Sequence, residues 1–230
     1  MSRIRAVVFD LYGTLVPEFP LAEWNAMFEG MAEALGAEAS TFRREWDATI
    51  VERQTGGFAD VRENLLAICA RIGIEPSGEA VERALSVRSV LYRDLFRPKR
   101  GAVETLTWLR PRGYALALVS MCAPDTPDLW RASPLDGLVD VLVFSSEVGL
   151  RKPDPRIYLL ACDRLGVDPA DCLYVGDGND RELSGAAAVG MSPVLIVDLA
   201  EEGEMLRMEA ETWDGPTIFS VPEVRTLLRA

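Results

Sequence analysis

The sequence predicts an α/β protein: a doubly wound parallel sheet of about five strands, with an α-helical unit inserted after the first strand. Three observations carry that prediction. An apolar run beginning near Ile4 and continuing through Val7, Val8 and Phe9 stops at Asp10, as a parallel strand buried on both faces stops at the carboxyl edge of its sheet. Residues 17–96 then show helical periodicity with no strand-like alternation. From residue 97 onward, short apolar runs alternate with helical patterns, which is the signature of βαβ units.

In the inserted stretch, Trp24, Phe28, Met31 and Leu35 recur at helical spacing, followed by Phe42, Trp46 and Ile50, by Leu65, Leu66, Ile68 and Ile72, and by Val81, Leu85 and Leu91. Gly36, Gly56, Gly57 and the run from Gly73 to Gly78 separate these groups, so four amphipathic helices in a compact bundle are expected. Trp24, Phe28 and Trp46 read as bundle core. Past Arg97-Pro98 the sequence predicts a helix over 102–109, a strand over 114–119, a helix over 124–131 and a strand over 138–144. A helix over 155–165, a strand over 172–175, a helix over 181–189, a strand over 193–197 and a helix over 221–228 complete the set. Asp154 before Pro155 is an N-cap followed by proline at the first helical position. The implied division is a Rossmann-like core of residues 1–16 and 97–230, with the helical unit at 17–96.

Composition narrows the function classes. The net charge of −12, from 36 acidic and 24 basic residues without a sustained basic run, argues against a nucleic-acid or anionic-membrane surface. The start Ser2-Arg3-Ile4-Arg5 is followed by too few apolar residues for a signal h-region or a span, so a cytoplasmic protein is expected. Cys69, Cys122, Cys162 and Cys172 lack metal-ligand spacing and fit reduced thiols. The absence of histidine excludes Ser-His-Asp and Cys-His hydrolases and histidine-ligated zinc. Chemistry must therefore use carboxylates, Lys, Ser/Thr, Tyr or a hard cation. Oligomeric state is not legible.

Each predicted strand exit carries a polar residue: Asp10, then Ser120, then Lys152 in Arg151-Lys152-Pro153-Asp154, then Asp177 in Gly176-Asp177 with Glu182 beyond it. If the strands are adjacent and parallel, Asp10, Ser120, Lys152 and Asp177 converge on one edge. A carboxylate pair with room for a divalent cation, beside a lysine and a hydroxyl, is what phosphoryl transfer through an aspartyl intermediate requires.

On these residues the chain resembles the haloacid dehalogenase superfamily of Asp-nucleophile hydrolases, in its branch with a helical cap after the first motif. Asp10-Leu11-Tyr12-Gly13-Thr14 looks like the first motif, Ser120 the second, Lys152 in Lys-Pro-Asp-Pro the third, and Gly176-Asp177 with Glu182 the fourth. The resemblance implies Asp10 as nucleophile and Mg²⁺ ligand, with Asp177 and the Tyr12 backbone carbonyl as further ligands and Glu182 as an outer contact. It implies that Lys152 keeps Asp10 ionised and that Ser120, Gly13 and Thr14 bind phosphoryl oxygens. The expected reaction is Mg²⁺-dependent hydrolysis of a small phosphomonoester through phospho-Asp10, with the substrate chosen by the cap.

The chain also departs from that pattern. Most phosphatases of the group have a second Asp two residues after the nucleophile as general acid and base; here Tyr12 stands there. Tyrosine at that place resembles the dehalogenases, whose halide needs no proton, so a metal-free 2-haloacid dehalogenase using Asp10 is the alternative. Those enzymes, however, have serine in place of Asp177 and cradle halide with a cap arginine; Arg43 and Arg44 in the second cap helix read as surface charges. Met121 stands where an Asn often follows the second-motif Ser. A catalytically weak binding or regulatory member of the fold is the third reading.

Overall fold

In the computed structural model the described residues are 4–201, 203–207 and 209–228. Ser2, Arg3 and the outermost residues of the expected core, 1 and 229–230, lie outside them. The chain starts with β1 (Ala6–Phe9) and enters five helices: α1 (Leu21–Leu35), α2 (Ala39–Ala48), α3 (Ile50–Gln54), α4 (Val61–Arg71) and α5 (Gly78–Leu95). It continues through α6 (Ala102–Leu109), β2 (Ala115–Ser120), α7 (Thr126–Arg131), β3 (Val141–Phe144), α8 (Ser145–Val148) and α9 (Pro155–Leu165). Last come β4 (Cys172–Gly176), α10 (Glu182–Ala188), β5 (Ser192–Ile196), β6 (Thr217–Ile218) and α11 (Val224–Leu227).

The strands form one parallel sheet in the order β3-β2-β1-β4-β5-β6. The alternation within β1 explains why its sequence is apolar throughout. Val7 and Phe9 join a cluster with Leu106, Leu109, Trp130 and Val224 on one face, while Ala6 and Val8 join Ile157, Tyr158, Leu183 and Ala186 on the other. Helices cover both faces, so the sheet is doubly wound. The Rossmann-like class read from sequence is thus the architecture observed, with six strands instead of about five. The sixth, β6, is only two residues long and pairs Leu195 with Thr217 and Ile196 with Ile218.

The helical insert has an apolar cluster of its own, including Phe28, Met31, Phe42, Trp46, Leu65, Ile68, Val81 and Leu91. Its helices start where side chains cap them: Glu38 accepts from Ser40 N and Thr41 N, Asp60 from Glu63 N, and Ser77 from Ala80 N. Five helices stand where four were expected, because the second pattern breaks at Thr49. Its hydroxyl donates to the Trp46 carbonyl at 2.9 Å, and Ile50 opens a separate short helix. Asp154 caps α9 through Arg156 N at 2.9 Å, as its sequence context predicts. The predicted last helix is reduced to α11, which follows directly on a 3₁₀ turn over Val221–Glu223. All four cysteines are free and buried. Among the described residues no helix is long and apolar enough to cross a membrane.

Candidate active site

Because β1 lies between β2 and β4, the first residue past its end is flanked by the ends of both neighbours. Asp10 N donates to Val175 O at 2.9 Å, which carries the ladder one residue beyond the strand. The chain then turns tightly, with Thr14 N, Leu15 N and Val16 N all directed at Leu11 O at 3.2, 2.8 and 3.0 Å. Gly13 makes this turn at φ +74°, and a Cβ there would lie 2.3 Å from Asp177 Oδ2. The buried ammonium of Lys99 holds the turn from behind, donating to Gly13 O at 2.7 Å while pairing with Glu201 at 2.8 Å and Asp198 at 3.3 Å. Gly13→Ala should therefore cost at least about 1–2 kcal/mol in backbone strain alone. Because the methyl also displaces Asp177, the thermal midpoint measured by calorimetry should fall further than backbone strain alone requires.

Lys152, the expected third-motif lysine, is fully buried between two carboxylates: its Nζ is 2.5 Å from Asp10 Oδ1 and 2.5 Å from Glu182 Oε2. This pairing holds the lysine firmly charged, its pKa raised against the opposing effect of burial. Burial pushes Asp10 upward, as do Glu182 and Asp177, and Lys152 pulls it back. Glu182 also accepts from Tyr174 Oη at 2.7 Å and Gly178 N at 3.1 Å. It is therefore anchored on three donors and serves to fix Lys152 against Asp10. Gly176 leaves room for it, since a Cβ there would meet Glu182 Oε1 at 2.1 Å.

Asp177 faces Asp10 from the end of β4. Its Oδ1 accepts from Asn179 N at 3.0 Å, and its Oδ2 from Asn179 Nδ2 at 2.9 Å and Arg207 Nη1 at 2.5 Å. Asn179 Nδ2 also reaches Glu18 Oε2 at 2.8 Å, and burial pushes the Glu18 carboxyl up to about 7. The loop is strained beside these groups: Asp180 and Arg181 adopt φ of +56° and +54°, a region costly for side-chain-bearing residues and concentrated at functional sites. Ligand atoms of Asp10, Asp177 and Glu182 lie within 4.8 Å of one another. Crowded, buried, hard oxygen donors suit Mg²⁺ and are costly without a cation, so the residues present fit that ion. Two hydroxyls, Ser120 Oγ and Thr14 Oγ1, are buried without a hydrogen-bond partner among the described residues, as groups awaiting a polar ligand would be.

Over this edge lies a cavity of about 110 Å³ between sheet and insert, lined among others by Asp10, Asp177, Trp24, Trp46 and Arg53. The Tyr12 ring turns into the insert's aromatic cluster, with centroids 4.8 Å from Phe19, 6.1 Å from Phe96 and 6.5 Å from Tyr92. Its hydroxyl lies 3.2 Å from Thr126 Oγ1, and burial pushes its pKa well up, making it a still weaker acid. Arg43 and Arg44 pair with Asp47 and Glu45, away from the cavity lining. Four residues at or near the site, Glu18, Arg53, Asn179 and Arg207, were not read from sequence as members of it. Glu18, Arg53 and Arg207 carry no motif, whereas Asn179, two residues beyond Asp177, sits in the fourth-motif segment, and that proximity is the signal that marks it.

A buried aspartate locked to a lysine at the carboxyl edge of a doubly wound sheet, with a helical insert above it, defines a hydrolase that uses an aspartate nucleophile. The chain belongs to the haloacid dehalogenase-like hydrolases, whose family model matches residues 4–190. It is 31% identical over 237 residues to glyceraldehyde 3-phosphate phosphatase of Methanopyrus kandleri, covering 98% of this chain and 96% of that protein. It is also 32% identical over 201 residues to (S)-2-haloacid dehalogenase 4A of Burkholderia cepacia, covering 85% and 84% of the two chains. A dehalogenase crystal structure superposes with a TM-score of 0.62 at 28% identity, over 100% of this chain and 99% of the other.

Proposed function

We propose that the chain is a Mg²⁺-dependent phosphomonoester hydrolase of the cytoplasm, acting on a small phosphorylated metabolite, with the helical insert closing as a cap over the sheet edge. The observation that carries this reading is the buried cluster of Asp10, Asp177 and Glu182, three carboxylates whose ligand atoms lie within 4.8 Å of one another and whose crowding a divalent cation would relieve. Asp10 attacks phosphorus, the new O–P bond forms as the ester O–P bond breaks, and water then hydrolyses the phospho-aspartate. Lys152 keeps Asp10 anionic for the attack, and Glu182 keeps Lys152 in place. Ser120 Oγ, Thr14 Oγ1 and the Gly13 N–H bind phosphoryl oxygens, the Thr14 N–H being turned to Leu11 O, and this gives the two orphaned hydroxyls their partners. Asp10, Asp177 and the Tyr12 carbonyl would hold the Mg²⁺, which when bound would supply positive charge to offset repulsion between nucleophile and phosphate.

Protonation of the leaving oxygen is the weak step, because Tyr12 offers a phenol whose pKa is raised and whose ring is turned into the aromatic cluster. Activity should therefore rise steeply as leaving-group pKa falls, with p-nitrophenyl phosphate cleaved far better than an alkyl phosphate. Tyr12→Asp should flatten the dependence, with a gain for alkyl phosphates approaching the ~10²-fold usual for a positioned acid. A shallow dependence in the wild type would mean that another acid acts, and Glu18, a buried carboxyl in the cavity lining that burial pushes up to about 7, is the candidate.

One observation favours the second reading. Arg207 already balances Asp177, so the site has an internal cation, and with Tyr12 in place it also fits a metal-free 2-haloacid dehalogenase. Halide release from a 2-haloacid in excess EDTA, with no cleavage of any phosphate ester, would establish that reading instead.

A further inference from the structure

Two buried guanidiniums stack on Trp46 in the helical insert, at 4.0 Å for Arg53 and 5.2 Å for Arg88, and only one of them has a carboxylate. Arg88 is held by Asp125 in a two-point pair, Nε to Oδ2 at 2.9 Å and Nη2 to Oδ1 at 3.0 Å. Arg53 is 4% exposed, and its hydrogen bonds among the described residues all leave from Nη1 to neutral acceptors: Trp46 O at 3.1 Å, Thr49 Oγ1 at 3.0 Å and Asn64 Oδ1 at 3.0 Å. Asp47 and Asp125, the carboxylates whose charge reaches Arg53, are paired with Arg43 and Arg88. Burial and the charge of Arg88 bring the Arg53 guanidinium down to about 10, which leaves it protonated at neutral pH. Arginine is almost never buried without a counter-charge. Among the described residues Arg53 is thus a buried guanidinium of the insert without a carboxylate partner, and it lines the same cavity as Asp10.

The local arrangement is preorganised. Three acceptors converge on Nη1 and fix the guanidinium, leaving Nε and Nη2 without a hydrogen-bond partner among the described residues. Gln54, the next residue, lines the same cavity, and its side-chain oxygen is buried without a partner. Its amide can present either end to a ligand.

We propose that Arg53 is a specificity-determining residue for a carboxylate on the substrate, so that the preferred phosphomonoester is a small phosphorylated acid with its phosphoryl group at Asp10 and its carboxylate at Arg53. A flat guanidinium fork matches a carboxylate in two-point geometry, and a cavity of about 110 Å³ suits a molecule of few carbons. This rests on the phosphatase reading for the chemistry at Asp10, and binding measurements separate the two.

Calorimetry with Mg²⁺ present should show 3-phosphonopropionate bound more tightly than propylphosphonate, by about 10- to 100-fold for a charged hydrogen-bonded contact. Arg53→Met should erase that preference, and Arg53→Lys, which keeps charge without the fork, should retain part of it. Equal affinities in the wild type, or a preference that survives Arg53→Met in a protein shown to be folded by thermal unfolding, would overturn the proposal. If Arg53→Met does not fold, an undiminished preference in Arg53→Lys overturns it. In turnover, the ratio of kcat/KM for 3-phosphoglycerate to that for glycerol 3-phosphate should fall in Arg53→Met, mainly through KM. A purely structural role would instead lower both substrates equally. A carboxylate preference in phosphonate binding without hydrolysis of either ester would support Arg53 while refuting phosphatase chemistry.

Discussion

Asp10→Asn should lower kcat by at least ~10³-fold with little change in fold, as removal of a covalent nucleophile does. The amide matches the carboxylate in shape, and Asp10 is buried on a strand end whose backbone continues the β1–β4 ladder. Removing one partner of a buried ion pair is ordinarily destabilising by about 3–5 kcal/mol. Here Lys152 keeps Glu182 at 2.5 Å, and the loss of one of three crowded carboxylates relieves repulsion on the other two. Thermal unfolding of the variant should thus stay within a few degrees of the wild type while turnover disappears. Retention of most activity would end the nucleophile assignment under either the phosphatase or the dehalogenase reading.

Chelation should remove activity by at least ~10²-fold, with recovery on adding Mg²⁺, if ion stabilisation of the transferring group carries the several kcal/mol usual for such sites. Asp177→Ala should weaken Mg²⁺ binding measured by calorimetry by more than tenfold, yet leave the metal-free protein about as stable, because the loss of its pair with the half-exposed Arg207 is offset by relief of the crowding with Asp10 and Glu182. Arg207 is the discriminating control. Its Nη1 occupies Asp177 Oδ2 at 2.5 Å, so an incoming ion competes with it for that oxygen. Arg207→Ala should therefore tighten Mg²⁺ binding several-fold and lower the stability of the metal-free form. Unchanged activity in excess EDTA would mean that Arg207 is the permanent counter-ion and that the metal-free chemistry operates.

The legible and illegible parts of this molecule differ for a physical reason. Runs such as Val7-Val8-Phe9 and Leu116 to Val119 are apolar because both sheet faces are covered, so the strands announce themselves, and the polar residue at each exit marks the reactive edge. β6 carries no such mark: two residues at an edge, one of them exposed, bury too little to impose a pattern. Arg53 and Arg88 fall on helices where arginine usually reaches water. Their burial follows from Trp46, Asn64 and Asp125, partners brought together only by the tertiary fold. Arg207 lies in the irregular stretch between β5 and β6, far in sequence from the Asp177 it contacts, and no local spacing connects them. Tyr12 shows the opposite case: its position relative to Asp10 flagged it at once, but its direction into the Phe19, Tyr92 and Phe96 cluster depended on the insert.

The central place of β1 also shapes how the chain is made. Ala6 pairs with Ala115 on one side and Cys172 on the other, so β1, made before the other strands of this sheet, has both edges open until much later segments emerge. At about 5–20 residues per second, completing its second edge takes on the order of ten seconds or more. The helical insert makes most of its apolar cluster from its own residues, so that cluster can begin to pack long before that. During this interval Val7-Val8-Phe9 is an unpaired apolar strand, the kind of segment that recruits other chains or chaperones. The placement that brings ligands to Asp10 from both neighbouring strands thus leaves the nucleophile's strand waiting for partners while the chain is still being translated.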